Sequence, residues 1–202
     1  MQDDAEVLRS TYLDKLRKHI DDDVYHYLQM DGCEIINLLA DWLILLENIK
    51  IVFRGEKEYY SGRYVGQAKA SAQNLYSEYS FLIAPIYKAY EGFLYLLANS
   101  LGLKTSEQII LTIGRLYDEE AITRRKDEII TELGESLNKS DREVLGKLSE
   151  LKRVLELYRH NPAHYLGTRL ETMEKAENYG KTILTVINET TKYFMEKKYI
   201  GK

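Results

Sequence analysis

With 202 residues, 45% of them hydrophobic and only two prolines, the chain has enough apolar material for one good core. A single cysteine argues against a disulfide framework or a thiolate metal cage, and a net charge of −4 argues against tight, nonspecific coating of nucleic acid. Met1-Gln2-Asp3-Asp4 is not a basic-then-apolar leader, and the stretch from Ile35 to Phe53 is interrupted by Asp41, Glu47 and Lys50, so a cytoplasmic, unanchored chain is expected.

In chain order, Leu8, Tyr12, Leu16 and Ile20 recur on one side of a first amphipathic helix over about Asp4 to Tyr27. The run from His19 to His26 can be drawn as a carboxylate and histidine cluster for a divalent cation. Helical spacing spreads those side chains around the axis, so a solvated acidic face is expected instead. Asp31-Gly32 interrupts the pattern. A second helix, Cys33 to Phe53, is apolar on most sides around Trp42, which predicts burial between neighbours, with Cys33 as a small buried hydrophobe. Arg54 to Gly62 then reads as a loop and a soft boundary between an N-terminal helical extension, 1–58, and a helical bundle, 59–202.

A third helix is expected from about Tyr64 to Ala84, and Pro85 makes the stretch to Leu101 either kinked or a separate helix. Tyr76, Ile83, Tyr90 and Leu97 recur every seven residues, with Tyr79, Tyr87 and Leu94 alongside. Such a pattern suits a helix seam within the bundle or between protomers. Thr105 to Leu116 and Glu119 to Leu133 predict shorter helices. Ser140-Asp141-Arg142-Glu143 is a capping box that starts a helix near Asp141. Its stripe of Val144, Leu145, Leu148, Leu151, Val154, Leu155 and Tyr158 carries it to about Arg159. Asn161-Pro162 stops it and predicts a last helix from Pro162 through Leu166, Leu170, Met173, Ala176, Tyr179, Ile183, Val186, Ile187 and Phe194.

The junction between these two helices carries the chemistry. It reads Arg159-His160-Asn161-Pro162-Ala163-His164-Tyr165. A helix N-terminus beside a guanidinium favours a phosphate, and the same positive surroundings keep His164 neutral and able to accept a proton. An arginine and a histidine so placed can cut RNA without a metal: His164 takes the 2′-OH proton and Arg159 counters charge on the phosphoryl oxygens. Arg153, Lys152 and Arg169 offer further local positive charge. Tyr165, beside the motif, is placed to stack on a base. His160 and His164 lack the glutamate or thiolate that would complete a zinc site. Neither a Walker-type phosphate loop nor a Gly-x-Ser-x-Gly elbow occurs.

The segment Arg159 to His164 resembles the signature of the HEPN superfamily: an arginine, then a polar residue, then a histidine at the junction of two helices. Upstream, Ala84-Pro85-Ile86-Tyr87-Lys88-Ala89-Tyr90-Glu91-Gly92-Phe93-Leu94, followed by Leu101-Gly102-Leu103, is similar to the second helix of its RNase LS-like (RnlA-type toxin) branch. The resemblance covers roughly residues 64–200. It implies an all-α up-and-down bundle, a homodimer whose two motifs face one cleft, and metal-independent RNA cleavage by a toxin or antiviral effector. Arg159 and His164 match the catalytic pair and His160 the polar position, with Asn161 and Tyr165 as the expected substrate-binding neighbours. No cofactor or metal is expected; the expected partners are RNA, a second copy and an antitoxin protein. The alternative from another class is a helical module of the same fold that binds RNA, a nucleotide or a protein without cutting.

Overall fold

The computed structural model describes residues 2–31, 33–61, 79–101, 144–155 apart from 145 and 152, and 170–201. Among the described residues every regular element is helical: α1 (Gln2–Arg17), α2 (Asp22–Leu28), α3 (Glu34–Ser61), α4 (Ala84–Ser100), a helical stretch α5 within 144–155, and α6 (Met173–Glu196). The fold is an all-α bundle in which α3 lies against both α1 and α4, and α6 packs on α4. The expected helices over 105–116 and 119–133 and the capping box at 140–143 lie outside the described residues.

The single N-terminal helix expected from the apolar stripe is two helices. α1 closes at Arg17, where the Lys18 and His19 amides donate to the Lys15 and Leu16 carbonyls at 3.1 and 2.9 Å, the tight spacing of a final turn. Asp21 is extended (φ −61°, ψ 145°) ahead of α2, whose first turn carries Asp22 and Asp23 at the positive end of the helix. α6 pins this break. Asn188 accepts from the Asp21 amide and donates to its carboxylate, both at 3.1 Å, and Lys192 adds an ion pair at 3.0 Å. Tyr12, Leu16 and Ile20 are buried as the stripe predicts, but Leu8 is 51% exposed.

α3 continues through Arg54–Ser61, the segment expected to be a loop, so residue 58 falls inside a helix. Gly55 costs a helix only about 1 kcal/mol, and Arg54, Glu56, Lys57 and Glu58 around it are good helix formers. Cys33, expected to be buried, is only half-buried and holds the left-handed conformation (φ 72°) just ahead of α3. Its carbonyl still accepts the first helical bond, from the Asn37 amide at 2.9 Å.

Pro85 sits in the first turn of α4, where its missing N–H costs nothing, so the stretch to Leu101 is a separate helix. The expected preceding helix does not reach it: Tyr79 is non-helical and Ser80–Ile83 form a 3-10 turn. Ser80–Ser100 is long and apolar enough by composition to cross a membrane, yet half of its most apolar window is buried within the bundle. Within this run Ile83, Tyr90, Leu94 and Leu97 are core residues, as is Tyr79. The Tyr90 hydroxyl donates to the Leu151 carbonyl at 2.9 Å and that of Tyr87 to Leu155 at 3.2 Å, so these tyrosines form a seam inside the protomer, against α5. Val144, Leu148, Leu151, Val154 and Leu155 are the buried face of α5, as its stripe predicts.

The last helix begins at Met173, so the run expected from Pro162 to Phe194 is not one continuous helix; Pro162 itself lies outside the described residues. Leu170 and Glu171 are non-helical, and the Leu170 carbonyl is taken by the Tyr79 amide at 2.9 Å instead of by a following turn. Thr172, extended at φ −136° and ψ 149°, then caps the helix by accepting from the Lys175 amide at 3.2 Å. Ala176, Ile183, Ile187 and Phe194 turn inward, joining residues of α1 to α5 in one core. Trp42 of α3, 1% exposed, lies across Gly180 of α6, where no side chain could be accommodated.

Candidate functional site

Arg159, His160, Asn161, His164 and Tyr165 lie outside the described residues, as do Lys152 and Arg169. Upstream, α5 is fastened to α4 by the Tyr87 and Tyr90 hydroxyls, so the helix leading toward the motif is anchored in the core. Downstream, the first turn of the last helix is at Met173, well beyond His164. The turn expected to begin at Pro162 and to carry His164 lies outside the described residues. Arg153 is on α5 with its side chain 66% exposed, 4.0 Å from Glu150.

A second candidate site is formed by the described residues themselves. A cleft of about 490 Å³ opens between α3 and α6, with His19 from the turn after α1 at its mouth. Its apolar wall comes from Trp42, Leu43 and Leu46 of α3 and Leu184 of α6. At the other side two ammonium groups meet one carboxylate: Lys50 and Lys181 each approach a different oxygen of Glu177 at 2.8 Å. Burial pushes the Glu177 carboxyl upward, but the bonds from Lys181 and Lys50 outweigh it and hold the group below its ordinary value.

Glu47, also in the cleft, is engaged by α1. Lys15 approaches it at 2.7 Å and the Tyr12 hydroxyl donates to it at 3.0 Å. The Lys15 hydrogen bond is the main cause of its lowered pKa, while burial first and Glu47 second raise that of Tyr12. The Trp42 Nε1 donor is buried without a hydrogen-bond partner. Sequence reasoning saw Trp42 only as core. Glu177 and Lys181 carry a faint signal, being one helical turn apart, but that spacing reads as an ordinary surface pair. Lys50 has no sequence signal linking it to them.

Among the described residues no group of three His, Cys, Asp or Glu side chains is placed to hold a metal ion. Asp21, from the acidic run that could be drawn as a cation site, is held by Lys192 and Asn188. No family model matches the chain, and neither a curated protein nor a solved structure matches it at a significant level.

Proposed function

We propose that the chain is a metal-independent endoribonuclease of the HEPN type, acting in the cytoplasm as a toxin or antiviral effector. The observation that carries the reading is the segment Arg159-His160-Asn161-Pro162-Ala163-His164 in an all-α chain, following a helix whose apolar face is buried against α4. His164 takes the 2′-OH proton, the oxygen attacks the adjacent phosphorus, and the bond to the 5′ oxygen breaks, leaving a 2′,3′-cyclic phosphate. Arg159 counters charge on the phosphoryl oxygens, His160 assists, and Asn161 and Tyr165 hold the RNA. In a homodimer one His164 acts as base while the other, or water, protonates the leaving oxygen. An antitoxin protein would restrain such an activity.

The test is incubation of wild type and His164→Ala with a labelled single-stranded RNA in EDTA, reading both cleavage and end chemistry. Cleavage by wild type alone, with cyclic phosphate ends, is the expected result. Intact RNA with both folded proteins would overturn the nuclease reading in favour of a binding module. The dimer is tested by mixing Arg159→Ala with His164→Ala, since motifs that act across protomers regain activity in the mixed species. A charge at Tyr90 is no test of the dimer, because that ring is fully buried and the variant would unfold.

A further inference from the structure

We propose that α1 is a hinged strap: it opens from α3 as a unit about Lys18 and His19 while the rest of the bundle stays folded, and ionic strength sets how often it opens. The inference does not rest on the nuclease reading. Among the described elements α1 packs mainly on α3. Leu16 is its one side chain in the core cluster, with Tyr12 buried beside it and Leu13 half-buried. Toward the N-terminus Glu6, Val7, Leu8, Ser10 and Thr11 are exposed. By contrast, α4 lines the core from Ile86 to Ala98 and α6 from Ala176 to Phe194. A lone helix of 16 residues is at best marginal in water, so α1 depends on its seat.

That seat is largely ionic. Arg9 pairs with Asp41 at 3.2 Å and donates to Asn37 at 3.4 Å, while Lys15 pairs with Glu47 at 2.7 Å and the Tyr12 hydroxyl donates to the same carboxylate at 3.0 Å. Both ion pairs are near 40% exposed, where salt screens them; it does not screen the buried faces of α4 and α6. The root of the strap is fixed. Asp21, just past the hinge, is held to α6 by Asn188 and Lys192, and Arg17 lies over the Tyr25 ring of α2 at 4.7 Å. Opening therefore stops short of α2. It bares Asp41 and Glu47 on α3, so the strap sets the charge that this face shows to solvent.

The experiment is residue-resolved hydrogen exchange of the full chain at neutral pH, in 0.05 M and about 1 M sodium chloride, a range over which screening becomes nearly complete. The amides of Leu13 to Arg17 should exchange through one common opening, well before those of α4 and α6. Their protection should fall about fivefold in high salt, while that of α4 and α6 does not fall. Lys15→Met, at a side chain 40% exposed, should fold normally, lose about as much α1 protection in low salt and respond less to added salt. Lys192→Met removes the ion pair at the root, so the α2 amides should then open together with those of α1. Exchange of Leu13 to Arg17 only together with α6, protection of α1 that is indifferent to salt, or undiminished protection in folded Lys15→Met would each overturn the proposal.

Discussion

Replacing Gly180 by alanine sets two opposed effects against each other at one position. In the interior of α6, alanine is favoured over glycine by about 1 kcal/mol. The new methyl, however, would stand 2.7 Å from Trp42 Nε1 and closer still to two ring carbons, far inside van der Waals contact. Trp42 is 1% exposed and belongs to the core, so the insertion is overpacking, which costs about 1–3 kcal/mol. The steric term wins, and Gly180→Ala should lose up to about 2 kcal/mol, or up to about 8 °C in Tm for a chain of this length. Gly146 is the control. It is helical and exposed with no atom within 4 Å of an added Cβ, so Gly146→Ala should gain about 1 kcal/mol. Thermal and urea unfolding followed by far-ultraviolet circular dichroism would compare the two, and a Trp42→Phe background should blunt or reverse the Gly180 penalty. Equal stabilisation by both alanines in the wild-type background would refute the close approach of α3 and α6.

Three further outcomes follow from the packing and electrostatics. Because the folded pKa of Glu177 lies below the ordinary 4.5, its stabilising contribution is complete above that value and is lost as pH falls through the depressed folded value. Glu177→Gln should thus be less stable than wild type near neutrality, with the urea midpoints converging in acid; a gap independent of pH would contradict this. Tyr90→Phe keeps the buried ring but orphans the Leu151 carbonyl of its 2.9 Å hydroxyl bond, and should lower stability by about 1 kcal/mol; an unchanged melting curve would count against the bond. Cys33→Gly should stabilise by up to about 1 kcal/mol, since φ 72° strains any residue with a Cβ, and a destabilised variant would deny that strain.

The sequence exposed periodic faces far better than it exposed ends. The stripe of Val144, Leu148, Leu151, Val154 and Leu155 and the inward run of α6 from Ala176 to Phe194 needed only helical spacing to be read. Ends depend on partners distant in the chain. The apolar pattern runs on through Ile20 and Val24, so nothing local marks the break at Asp21 that Asn188 and Lys192 fix. Likewise Leu170 continues the apolar spacing of the last helix, but its carbonyl bonds to Tyr79 and the helix waits for the Thr172 cap. At the other extreme, Gly55 and its charged neighbours read as a loop because polar helices and loops share a composition. The candidate chemistry divides in the same way. Arg159 and His164 are legible because they are neighbours in sequence, whereas Lys50 and Glu177 meet only through packing of α3 on α6.

The contact of Asp21 with Asn188 joins residues 167 positions apart, and it bears on the order of events during synthesis. While the ribosome is still making the middle of the chain, the faces of α2, α3 and α4 that α6 will cover have no lid. Trp42 is among them, because its ring is covered by Gly180. The nascent protein must carry that sticky surface until Met173–Glu196 emerges, a long wait at translation speeds of about 5–20 residues per second. Non-local closure of this kind slows the final folding step, so a holding chaperone during synthesis would protect yield more than one acting after release.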